Sequence, residues 1–141
     1  MNIYSNLAEL YSTQRQYKKA LKYHNKVLSI REKVLGENHK DTASTYNYIG
    51  TVYWYQRNYN DALKYYEKAI VIREKMLGVE DLDTAITYGN IAAVYDAQKL
   101  YEKALQYYKK ALKVFEVKLG IDHVYTKDIK ERLEELKMIS A

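Results

Sequence analysis

Residues 42–78 read TASTYNYIGTVYWYQRNYNDALKYYEKAIVIREKMLG, and close versions of this stretch stand before and after it. Tyr4, Tyr46 and Tyr88 fall 42 residues apart, and the same step relates Tyr11, Tyr53 and Tyr95, then Tyr17, Tyr59 and Tyr101. Ala20, Ala62 and Ala104 keep it, as do Gly36, Gly78 and Gly120. A fixed period of this size marks a solenoid, because a unit this short buries its apolar face only by stacking on its neighbours. At 141 residues the chain holds three such units and a terminal element.

Within the middle unit, Tyr46, Ile49, Gly50 and Tyr53 recur at i, i+3, i+4 and i+7, the stripe of an amphipathic helix A over about residues 42–55. A second stripe, Ala62, Tyr66, Ala69 and Arg73, predicts a longer helix B ending near Leu77. Gly78 supplies the left-handed residue that closes it. Asp83 or Thr84 is expected to cap the next helix A, as Asp41 or Thr42 and then Thr126 do in the neighbouring copies. Small residues fall where helices A and B must approach closely: Ala8, Gly50 and Ala92 on one helix, Ala20, Ala62 and Ala104 on the other. The segment from Lys127 to about Met138 keeps Ile129, Leu133 and Leu136 on one side and charges on the other, which suits a terminating helix.

The spacing of Tyr46, Ile49, Gly50, Tyr53, Ala62, Tyr66 and Ala69 resembles the tetratricopeptide repeat signature. The usual unit has about 34 residues, and the extra length here forms a prolonged helix B and loop. That longer unit is similar to the repeats of kinesin light chains. The resemblance implies an all-α fold, an α-solenoid wound as a right-handed superhelix of three helix-turn-helix units, with repeats at about 1–41, 42–83 and 84–125 and a capping helix at about 127–139. All of it would form a single domain over 1–141.

Two features depart from the family pattern. The inter-repeat loops carry no proline, with Lys40 and Leu82 in its place. In the third unit Phe115 replaces Arg31 and Arg73 while Tyr125 replaces Asp41 and Asp83. The joint change suggests that Arg31 pairs with Asp41 and Arg73 with Asp83, with an aromatic contact standing in for the pair in unit three.

Composition narrows the function. There is no cysteine, which removes disulfides, thiolate metal sites and a cysteine nucleophile. No apolar run is long enough to span a membrane, and the first residues do not show the basic and then apolar pattern expected of a signal peptide. His24, His39 and His123 lack the clustering a metal requires, so neither metal nor cofactor is expected. His24 reads as a packed core residue, and the other two as loop residues. No catalytic constellation occurs, and the chain is not expected to be an enzyme. The net charge of +5 comes from lysines on the B helices, while the aromatic residues are expected on the opposite face, which makes nucleic acid an improbable partner.

The family binds peptides or short helices in the concave groove lined by helices A. Carried over by position, the groove residues are Asn6 and Glu9 in unit one, with Asn2 beside them, Asn47, Tyr48, Thr51, Trp54 and Tyr55 in unit two, and Asn90 and Asp96 in unit three. Gly89 and Ala93 accompany the last pair. The wall holds acids and no Lys or Arg, unlike the kinesin light chain groove, which takes acidic ligands. The function expected is a cytoplasmic scaffold binding a protein or peptide. The alternative is a structural module that stacks on further repeats or self-associates through Ile3, Tyr4 and Leu7.

Overall fold

The computed structural model describes residues 2–140; Met1, Ala141 and the side chains of Asn2 and Ser140 lie outside the described part, and with them the expected groove residue Asn2. The described residues form α1 (Asn2–Thr13), α2 (Tyr17–Val34), α3 (Lys40–Tyr55), α4 (Tyr59–Met76), α5 (Leu82–Ala97), α6 (Tyr101–Lys118) and α7 (Val124–Ser140), without a strand among them. They fall into two compact units, Met1–Met76 and Leu77–Ala141. In the first, α1 packs on α2, α2 on α3 and α3 on α4; in the second, α6 packs on both α5 and α7. The three A–B pairs are helical hairpins, as the period predicts.

Each A–B turn is closed by a residue forced into left-handed backbone. Arg15, Arg57 and Lys99 have φ of 60°, 59° and 64°. In the middle turn the Asn58 N–H donates to the Tyr53 carbonyl and the Arg57 N–H to the Trp54 carbonyl, which is the six-to-one and shorter bond pair of a Schellman end. Gly36, Gly78 and Gly120 take the same conformation after each helix B, at φ of 86°, 90° and 89°.

Helices A begin earlier than the expected caps. Their N-caps are His39 and Asp81, whose side chains accept from the N–H groups of Asp41 and Asp83. His123 Nδ1 likewise accepts from the Tyr125 N–H at 3.1 Å. All three follow the closing glycine by three residues, so the loop histidines do the work of the aspartate between them. The Asp41 carboxylate lies 3.8 Å from His39 Nδ1, but that nitrogen is an acceptor here and the contact is no charge pair. Thr42 is buried just inside the helix and donates to the Gly36 carbonyl at 2.9 Å, tying the helix start to the preceding turn.

The small residues sit where helices meet. Ala8, Ala20, Ala62, Ala92 and Ala104 are fully buried. A Cβ added at Gly50 would come within 2.8 Å of the Tyr66 ring, so α3 and α4 approach through a gap only glycine fits. Ala43, Tyr46, Ala69 and Ile72 form a core cluster between α3 and α4, with Leu28 of α2 against it.

The abundant tyrosines are arranged in triplets with lysines laid over them. In repeat one Tyr23 lies between Tyr4 and Tyr11 at 6.0 and 5.6 Å, and Lys26 sits over the Tyr4 and Tyr23 rings at 5.2 and 5.3 Å. Lys68 covers Tyr46 and Tyr65, and Lys110 covers Tyr88 and Tyr107, in the same way. This corrects the expectation that basic and aromatic residues occupy opposite faces: the lysine stems lie along the rings, where the ammonium meets the negative π face. The rings are thereby covered and stabilise the hairpins.

Candidate functional site

The A helices place the expected binding residues, and α3 carries most of them. Tyr48 and Tyr55 lie two turns apart on α3 and lean on α2. The Tyr48 ring stacks on His24 at 5.8 Å, and Tyr55 is nearly parallel to Tyr17 at 6.1 Å. Both rings stay open to solvent, at 47% and 60% exposure. Thr51, between them, donates to the Asn47 carbonyl at 3.0 Å and shares a 2.8 Å bond with the Tyr66 hydroxyl. Trp54 turns the other way and is half-buried against Tyr59 of α4 at 5.4 Å. Asn47 is buried, while Asn6 and Glu9 on α1 are exposed.

In the second unit Asn90 is half-buried beside a cleft of about 360 Å³ that Gly89 also lines. Asp96 is engaged by the protein itself. Arg132 of α7 grips it with two bonds of 2.6 Å, and the Tyr108 hydroxyl donates to it at 3.1 Å. The structure thus brings Tyr48, Thr51 and Tyr55 onto one stripe of α3, sets Trp54 apart from them, and commits Asp96 to holding α7.

Burial sets the electrostatics. His24, 5% exposed, is held as the neutral imidazole because desolvation lowers its pKa to about 4. Desolvation raises the Tyr66 phenol to about 12, against the opposing bond to Thr51. The Tyr108 phenol is raised further, first by burial and then by Asp96.

The Arg31–Asp41 pair takes a form the sequence did not suggest. Arg31 Nη1 donates to the Asp41 backbone carbonyl at 2.9 Å and to Thr45 Oγ1 at 2.7 Å, so the contact is to the main chain and not to the carboxylate. Arg73 donates to Ser44 Oγ at 3.2 Å. The aromatic substitute in unit three is present, with Phe115 and Tyr125 6.1 Å apart. Arg132 escaped sequence reading. Its signal was positional: it stands where Tyr48 stands 84 residues earlier. Among the described residues no group of three or more His, Cys, Asp or Glu comes together as a metal would require.

Helical hairpins of a 42-residue period, paired through alanine and glycine, with polar and aromatic side chains displayed on the A helices, define a repeat scaffold of the protein-interaction class. The tetratricopeptide repeat profile matches residues 1–75, 41–117 and 83–130, and the chain belongs to the tetratricopeptide repeat family. Among curated proteins no sequence matches. Among solved structures, BtubC (BKLC) from P. vanneervenii is similar at 20% identity and a TM-score of 0.89, over 99% of this chain and 56% of that one. A putative kinesin light chain with nearly identical TPR-like repeats from Podosopora anserina is similar at 18% identity and 0.85, over 96% of this chain and 64% of that one. The apo form of RapI shares the fold at 21% identity and 0.84, over 99% and 48%. The chain therefore spans between about half and two thirds of the length of these proteins, and its repeats are of the kinesin light chain type in fold.

Proposed function

We propose that the chain is a non-enzymatic scaffold that binds a linear peptide or short helix on the exposed faces of its A helices, in the cytoplasm. The observation that carries this reading is the pair Tyr48 and Tyr55. Two large amphipathic rings remain half open to solvent while stacking on His24 and Tyr17 fixes their orientation. Rigid aromatic area held in place before binding loses little entropy on contact, the property of interface hot spots. Asn6, Glu9 and Thr51 complete the surface in the first unit, Asn47 lies buried beneath it and Trp54 borders it on the α4 side, and Asn90 supplies it in the second, with Asp96 contributing by holding α7. Nucleic acid is disfavoured because the tyrosines nearest the lysines, in the triplets of the hairpins, are covered by those lysines and by one another, while the open rings Tyr48 and Tyr55 have no lysine laid over them among the described residues. No helix among the described residues is long and apolar enough to cross a membrane.

The test is a peptide array followed by titration of the hits through the emission of Trp54, the single tryptophan. Tyr48→Ala and Tyr55→Ala are each expected to weaken binding about tenfold, corresponding to about 1.4 kcal/mol. Hits that bind both variants as tightly as the parent chain refute the reading.

A second reading has its own observation. On α1, Ile3 is 72% and Leu10 50% exposed, and they share a stripe with the half-buried Leu7. Such a stripe suits contact with further repeats or a second copy. Light scattering across concentration decides it: Ile3→Lys with Leu10→Lys should abolish any dimer, and a parent chain that is monomeric throughout rules out self-association.

A further inference from the structure

The junction of α6 with α7 departs from that of α2 with α3 at positions that face a single space. Where repeat one meets α3, Arg31 crosses from α2 to Thr45 and the Asp41 carbonyl, and Tyr48 lies over His24. The residues at the corresponding places where repeat three meets α7 are Phe115, Ile129, Tyr125 and Arg132. Phe115 leans on Tyr125, and Arg132 is drawn aside to Asp96. The interval that a guanidinium and a phenol ring occupy between α2 and α3 is left as the cleft of about 360 Å³ bounded by α5, α6 and α7. Its size is that of a small ligand pocket, and it admits a large side chain together with part of a neighbour.

The lining is chemically lopsided. Phe115, Ile129 and Gly89 give an apolar floor, and Asp128 is the one charged residue among those lining it. That carboxylate is exposed and has no hydrogen-bond or ion-pair partner among the described residues. A cation brought beside Asp128 gains a partner without breaking an existing pair, whereas a ligand carboxylate there meets like charge.

We propose that this cleft is an anchoring pocket for an apolar side chain, aromatic by preference, flanked by a cationic group, so that the second unit selects ligands in which a bulky apolar residue stands beside Lys or Arg. The assignment rests on the peptide-binding reading above for its biological ligand, but the pocket is tested separately with small probes. Gly89 provides the control. A Cβ built there meets only Ile129 Cδ1 at 3.7 Å, an ordinary contact, so a larger side chain enters the cleft rather than the backbone.

The experiment follows backbone amide shifts of the whole chain on titration with 4-phenylbutylamine and, in parallel, 4-phenylbutyrate. The amine should shift the amides of Gly89, Asn90 and Ile129 with at least fivefold higher affinity than the acid. Asp128→Asn, a change at an exposed position, should erase that preference, and Gly89→Leu should abolish the shifts with the melting temperature kept within a few degrees. Should the leucine variant fail to fold, the Asp128→Asn comparison alone decides. Equal binding of amine and acid, or shifts that survive in folded Gly89→Leu, overturn the pocket. A nonapeptide with a central Phe-Arg is then compared with its Phe-Glu counterpart. If array peptides bind α3 in Trp54 titrations while the probes ignore Gly89, the scaffold reading stands and the pocket falls. If the probes bind as described and no peptide does, the pocket stands and the scaffold reading falls.

Discussion

His24 carries a pH dependence that one side chain can report. Its ordinary pKa is 6.5 and burial lowers it to about 4 in the folded chain. The folded state therefore refuses a proton that the unfolded state accepts. Stability from this residue is complete above pH 6.5 and is lost as pH falls toward 4, by about 3 kcal/mol in all. Urea unfolding between pH 7 and 4.5 should show this slope, and His24→Phe should flatten it; equal slopes in the two chains would refute the assignment. Gly50 makes a second prediction at this scale. Because a methyl group there meets the Tyr66 ring at 2.8 Å, Gly50→Ala should destabilise by about 1–3 kcal/mol despite the better helix propensity of alanine. Thermal unfolding measures it, and a stabilised variant would mean that the ring yields freely.

At the scale of the element, the ends of the helices decide more than their middles. Arg57 holds φ at 59°, a conformation costing an L-residue about 1–2 kcal/mol, of which glycine's greater unfolded-state freedom returns part. Arg57→Gly should thus stabilise by about 0.5 kcal/mol. Lys40 is the first residue of α3, following His39 in extended backbone at φ −115° and ψ 144°. That is the setting in which proline is favoured, and Lys40→Pro should add about 0.4–1 kcal/mol. Both are read from urea midpoints, and a loss in either variant would show that the loop geometry differs from that described. The histidine caps were hidden at this scale for a physical reason. Capping is usually the work of Ser, Thr, Asp or Asn, and only the alignment of His39 and His123 with Asp81 shows that an imidazole nitrogen can be the acceptor.

At the scale of the whole molecule, α7 is expected to be indispensable to the second unit. Leu133 and Leu136 of α7 are buried, and Arg132 grips Asp96 with two short bonds. Removing residues 121–141 should cost about 3–6 kcal/mol from the two leucines alone. An unchanged urea midpoint would show that α7 does not hold the unit together.

The period of 42 residues, with its alanines, glycines and apolar stripes, by itself determined the fold class, the helix pairs, the further helix after the third pair and the buried fate of His24. These follow from local spacing, which fixes which residues share a helix face. Other outcomes depend on which atoms meet across helices, and only the tertiary structure decided them. The joint change at Phe115 and Tyr125 marked a contact, but not that its counterpart binds a main-chain carbonyl or that the exchange opens a cleft. Tyr48, Trp54 and Tyr55 were legible as a group, but their division between α2 and α4 was not, since a helical stripe does not say which neighbour a ring will lean on. Asp96 read as an open acid because its partner lies 36 residues away on α7, a distance no repeat spacing encodes.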